Sequence, residues 1–188
     1  MKKGERVARG QELGLVGLSG QTEFPHVHLT VRHQGQVIDP FTGQSSMAGC
    51  GRAGTAMWHT DQPVSYEPFA LDHAGVAGSP PQIDAIRAGK IEDLPPSATS
   101  AALVLWVDIL GVEAGDRVRF HLTGPEGVVV LDHVTAIVKT QARHFAFAGA
   151  RRNADTWRPG TYRGEITLVR ASQGQALQGS AQRTITIR

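Results

Sequence analysis

The sequence predicts an all-β protein, and three observations carry that reading. Gly and Pro are plentiful, at 22 and 10 of 188 residues, and few stretches repeat with a helical period. Over the second half, apolar and polar residues alternate with a period of two, as in strands with one buried face. Turn residues separate those runs at short intervals, the pattern of a sandwich built from two sheets.

The first division of the chain, residues 1–41, holds a β-meander fragment over residues 5–39. "ERVARGQELGLVG" sets Val7, Leu13, Leu15 and Val16 between glycines and reads as short strands. "HVHLTVRH" alternates cleanly, with Val27, Leu29 and Val31 facing one way and His26, His28, Thr30 and Arg32 the other. "HQGQ" turns the chain into "VIDP", a short strand stopped by Pro40. About 40 residues is marginal for an independent core.

Residues 42–96 show no sustained period but keep Trp58, Tyr66 and Phe69, which a disordered tail rarely does. They read as an ordered wrapping linker, with one short helix near Ile83–Ala88 between flanking prolines.

Residues 97–188 hold about seven short strands, the requirement of an immunoglobulin-like β-sandwich. "AALVLWVDIL" reads as a buried run, and "DRVRFHLTG" places Val118, Phe120 and Leu122 inward. Four further strand patterns follow, with turn signals at Gly115-Asp116, Gly124-Pro125, Pro159-Gly160 and Gly174. Trp157 fits either an exposed contact or an aromatic packed beneath a hairpin. His121, His133 and His144 read as surface or lightly buried residues.

Composition removes several functions. The net charge is +2 with a pI near 9.0, and no Lys/Arg run interleaves with aromatics, so nucleic acid is not expected as a partner. Cys50, the single cysteine, excludes an internal disulfide and a cysteine-rich zinc site, and it has no cationic neighbour closer than Arg52 to make it a nucleophile. No apolar run of 18 residues suggests a transmembrane segment, and "MKKGERVARGQ" lacks the apolar region of a signal peptide.

The chemistry concentrates in His26 and His28. Residues two apart in a strand share a face, so the two rings stand side by side. Such a pair serves a metal site, or is simply two polar residues on a solvated face. The surrounding residues bear on that choice. Gln11, Gly14, Gly17 and Gly20 lead into Pro25, His26, His28 and Arg32, and Asp39-Pro40 closes the segment. This stretch, residues 4–41, resembles the C-terminal half of the lysostaphin-type, or LytM-like, zinc endopeptidases, which cut peptide crosslinks in peptidoglycan.

The resemblance implies a partial peptidase β-sheet of the duplicated-hybrid-motif type and an extracytoplasmic location, in the periplasm or cell envelope. It makes His28 a Zn²⁺ ligand and His26 the neighbouring catalytic histidine. In that family a His and an Asp from an upstream H-x-x-x-D complete the set of ligands. Three ligands leave an open position where bound water becomes acidic enough to attack an amide. No H-x-x-x-D precedes residue 26, and His59 with Asp61, Asp72 with His73, and Asp132 with His133 lack the spacing. The expectation is therefore the C-terminal portion of a zinc metalloendopeptidase, N-terminally truncated and inactive by itself, with weak or absent zinc.

Two other classes compete. One is a non-catalytic module that binds cell wall or regulates a hydrolase, with the β-sandwich offered to a protein partner. The other is a biotinyl or lipoyl carrier, since "GERVARGQELG" also suits such a barrel. A carrier needs a modifiable lysine at a hairpin tip, and no lysine lies between Lys3 and Lys90.

Overall fold

The chain is all-β and falls into two compact units, Met1–Tyr66 and Glu67–Arg188. The structure, a computed structural model, describes residues 4–17, 20, 26–45, 54–61, 63–87, 96–172 and 174–188. Pro25 and Cys50 lie outside the described residues.

In the first unit the regular structure among the described residues is one hairpin, β1 (Val31–His33) and β2 (Gln36–Ile38), paired antiparallel with His33 opposite Gln36. Its two-residue turn, Gln34-Gly35, has φ of 49° and 79°. That double left-handed conformation matches the twist of a hairpin and is why a glycine sits in "HQGQ". Asp39 then folds the chain back. Its carboxylate accepts from the Phe41 N–H at 2.9 Å and the Thr42 hydroxyl at 3.1 Å, while its carbonyl accepts from the Gly43 N–H at 2.7 Å. Phe41 stands edge-on to both Trp58 and Tyr66, each at 5.4 Å between ring centroids. Three aromatics of the first unit thus meet at Phe41.

The strands expected over Val7–Val16 are absent from the described residues, and the strand expected to begin near Pro25 begins at Val31. Among the described residues neither Val7–Val16 nor 26–30 has a partner strand. A half-buried strand needs a second layer, and Val27 and Leu29 are instead 79% and 64% exposed.

The second unit is a sandwich of three strands on four. β3 (Ala70–Ala77), β4 (Ala102–Val112) and β7 (Gln141–Arg151) form one sheet in the order β3-β4-β7. β5 (Arg117–Thr123), β6 (Val129–Ala136), β8 (Gly160–Ser172) and β9 (Gln175–Ile187) form the other in the order β6-β5-β8-β9. All pairings are antiparallel. Leu103, Leu105, Val107 and Ile109 from β4 meet Val118, Phe120, Leu122, Ile166 and Leu168 in one core. The inward face expected for β5 is the one found.

Two boundaries need correction. The linker expected over 42–96 contains β3, so the sandwich begins by residue 70 rather than 97. The short helix α1 (Ile83–Arg87) lies within the sandwich unit, and Ile86 packs with Ala77 and Trp106 on the outer face of the three-stranded sheet. Small residues explain the misreading: Ala74, Gly75, Val76 and Ala77 carry too little polar contrast to show a period.

Trp157 is buried, donates from Nε1 to the Ser100 carbonyl at 2.8 Å, and meets Tyr162 edge-on. Tyr162, near the start of β8, donates its hydroxyl to the Arg158 carbonyl at 2.9 Å. This is the tyrosine corner of immunoglobulin-type sandwiches. Trp157 is therefore a packing residue.

A buried ion cluster closes one end of the core. Arg170 occupies an inward position of β8 and donates to Asp116 from Nε at 2.8 Å and Nη2 at 2.7 Å. It also reaches Glu113 at 2.8 Å and the Gly111 carbonyl at 2.6 Å, and lies over the Phe69 ring. Burial alone would raise the Asp116 carboxyl. The Arg170 hydrogen bonds, the Glu113 N–H and the guanidinium charge outweigh it and hold the group below its ordinary 3.8.

Asp116→Ala leaves a buried guanidinium with its main partner gone and is expected to cost about 3 kcal/mol. Because the folded carboxyl has the lower pKa, its contribution is whole above the ordinary value and is lost as pH falls through the folded one. Urea unfolding of both proteins from neutral to acid pH checks this: the gap between their midpoints should narrow only on the acid side.

Candidate functional site

The site that the sequence proposes lies just before β1. Residues 26–30 carry no strand pairing, yet the His26 and His28 rings are adjacent, with centroids 6.5 Å apart and planes tilted by 34°. Extended backbone at this point brings i and i+2 together without a formal strand. Both residues are exposed. His28 Nε2 is 3.1 Å from the Thr30 hydroxyl, so three successive same-side positions, 26, 28 and 30, form one polar row.

The turn upstream is also defined. Gln11 closes it twice, donating its N–H to the Ala8 carbonyl at 3.1 Å and accepting the Ala8 N–H on its side chain at 3.0 Å. Gly10 within that turn has φ of 76°.

His59 bonds Asp61 through Nδ1, and both are well exposed. His73 pairs with Asp72 at 2.8 Å in the other unit. His133 is exposed, and His121 and His144 are half-buried, as expected of surface or lightly buried residues. Burial lowers the His144 pKa, with the Asp108 charge acting the other way. Asp132 lies 3.6 Å from His121, and its carboxyl is held low by the Arg119 hydrogen bond.

No three His, Cys, Asp or Glu side chains gather in a metal-holding arrangement among the described residues. The residues present thus do not fit a complete three-ligand zinc site: His28 is the only one that the motif assigns as a ligand. No catalytic step through zinc follows from this chain by itself.

Sequence reasoning missed a second polar centre. Asp108 sits within the apolar run of β4 and is fully buried. On the outer face of its sheet it accepts from Arg87 at 3.1 and 3.2 Å and from Arg143 Nε at 2.7 Å. A lone carboxylate inside "LVLWVDIL" was the available signal, since a buried acid requires cationic partners. The cluster is well satisfied and ties α1 and β7 to β4.

The comparisons with known proteins add no relative: no family model, no curated protein and no solved structure matches the chain. No helix among the described residues is long and apolar enough to cross a membrane.

With one motif-assigned ligand, the chain is expected to bind Zn²⁺ more weakly than micromolar, since zinc sites rely on three or four protein ligands. Calorimetry at neutral pH measures this. Stoichiometric, tighter binding that survives His28→Ala would place the metal elsewhere.

Proposed function

We propose that residues 4–41 are the C-terminal portion of a zinc metalloendopeptidase domain that cleaves peptidoglycan peptide crosslinks, carried beside a β-sandwich. The observation that supports this most is the exposed, adjacent His26–His28 pair within the motif running from Gln11 to Pro40. His28 contributes one metal ligand. His26, beside it, accepts or donates the proton, work for which an imidazole is suited near neutral pH. A segment outside these 188 residues supplies the His and Asp of H-x-x-x-D.

Packing supports the same reading. Val7, Leu13, Leu15, Val16, Val27 and Leu29 are between 47% and 92% exposed. The sandwich unit exposes apolar residues too, Val129, Val138 and Phe147 among them, but sets them around a core in which Leu103, Leu105, Phe120 and Leu122 are fully buried. Exposed apolar residues clustered in one segment mark a surface that another element covers. The other half of a peptidase sheet is the element that the motif calls for.

The second reading is a non-catalytic module that binds the wall or regulates a hydrolase. The absence of a three-ligand cluster among the described residues favours it for the chain acting by itself.

Joining an upstream half-domain that carries H-x-x-x-D to this chain, then digesting purified sacculi, separates the two readings. The joined protein is expected to release new peptide termini in a zinc-dependent way, and the chain alone to release none. His28→Ala should lose zinc and activity together. His26→Ala should keep zinc and slow hydrolysis by roughly a hundredfold, the scale of a lost acid–base group. A zinc-loaded joined protein that releases nothing favours the module.

A further inference from the structure

The sandwich carries a groove that its own packing does not require. About 490 Å³ in volume, it crosses the outer face of the three-stranded sheet from the end of β3 to β7. Val104 forms its floor, Ala102 and Pro80 line one side, and Phe147, Gly149 and Arg151 of β7 line the other. Gly149 belongs there for a steric reason. A Cβ at that position would come within 2.8 Å of Val104 Cγ2, so the two residues are packed backbone to side chain. Gly149 therefore leaves β7 without a side chain between Phe147 and Arg151 on this face, and Val104 fills the space beside it.

β7 is also an edge. It pairs with β4 along Gln141–Arg151, and among the described residues no strand of the sheet lies on its other side. Its outward N–H and C=O groups are a template for an added strand. The other long edge, β9, differs in that Arg183 ties it across the sandwich to the Ala74 carbonyl at 2.7 Å. Phe147, 49% exposed, adds an apolar surface beside the β7 edge.

Charge selects the occupant. Arg143 is committed to Asp108, and Arg152 donates to the Ala154 and Asp155 carbonyls. The side chain of Arg151, exposed at the end of β7, makes no ion pair or hydrogen bond among the described residues. Among the described residues no acidic side chain lines the groove. An uncommitted guanidinium over an apolar floor suits a carboxylate, which it binds with two parallel hydrogen bonds.

We propose that the β7 edge and its groove dock an acidic, extended segment of a partner protein by strand addition. Strand periodicity sets the partner's pattern. Residues opposite Phe147, Gly149 and Arg151 share one face, so they read apolar, x, bulky apolar, x, acidic, in either chain direction. The bulky side chain reaches over Gly149 onto Val104, the way a large residue fills the space opposite a glycine in paired strands. All-L chirality is needed, because strand pairing requires the regular alternation of side chains. A wall stem peptide of mixed chirality does not meet it. The inference stands apart from the peptidase reading, since neither histidine takes part.

The test uses the full chain and two blocked hexapeptides, Ac-Glu-Thr-Ile-Thr-Val-Thr-NH2 and its reversed order, followed by amide chemical shifts at low salt. One of them should bind saturably at millimolar concentration or below and perturb residues 145–151 and Val104. Replacing the peptide's Glu with Lys should weaken binding tenfold or more. Arg151→Glu should do the same to the original peptide and restore binding to the Lys peptide. Arg151 is exposed at a strand end, so its substitution leaves the core intact. Four results would overturn the proposal: no saturable binding, indifference to Arg151→Glu, equal binding of the all-D peptide, or a β7-mediated dimer in sedimentation that Phe147→Lys abolishes.

Discussion

The sandwich depends on the neutralisation of Arg170. That side chain occupies an inward position of β8, where the pattern of Ile166 and Leu168 would otherwise continue as hydrophobic core. An unpaired guanidinium there would be prohibitive. Asp116, itself 1% exposed, sits at the β4–β5 turn and meets it with two hydrogen bonds. Meeting that requirement fixes several other things. The turn must bring Glu113 and Asp116 to one side, the Gly111 carbonyl must point inward, and Phe69 must lie beneath the guanidinium at 5.1 Å. The end of β4, the start of β5, the end of β8 and the approach to β3 are thus joined by one cation. Asp108 serves the outer face in the same way, tying α1 and β7 to β4 through Arg87 and Arg143.

The first unit has nothing comparable. Its local geometry is well made: a two-residue hairpin turn at Gln34-Gly35, a side-chain-bonded turn at Asp39, and an aromatic trio of Phe41, Trp58 and Tyr66. These are short-range devices. What they do not supply is a second layer, and the apolar residues that flank the histidines stay in solvent. Among the described residues, then, the two units differ in how much apolar surface their packing covers.

Much of the sandwich was legible because alternation in "DRVRFHLTG" states directly which residues face inward, and because turn residues mark the ends. β3 was not legible. Its "ALDHAGVA" is short on bulky residues, and its pairing shifts register between Leu71 and His73, which breaks the period that a reader looks for. The burial of Asp108 could not be read from its own strand, since its partners are 21 and 35 residues away. At the N-terminus the opposite error arose. Apolar residues between glycines around Leu13, and alternation around Leu29, stated a preference for strands, but a strand forms only against a neighbour. The motif, by contrast, brought His26 and His28 together as their spacing requires, because two-residue separation is a local property of extended chain.

Native-state hydrogen exchange tests most directly whether the two units differ in completeness. Amides in β4, β5 and β8 should be protected up to the stability of the sandwich, as core strands are. Those of residues 4–17 and 26–30 should exchange close to the rates of an unstructured chain, while the β1–β2 hairpin falls between. Protection across 26–30 equal to that of β4 would contradict the account, because it would mean that the first unit already has its second layer.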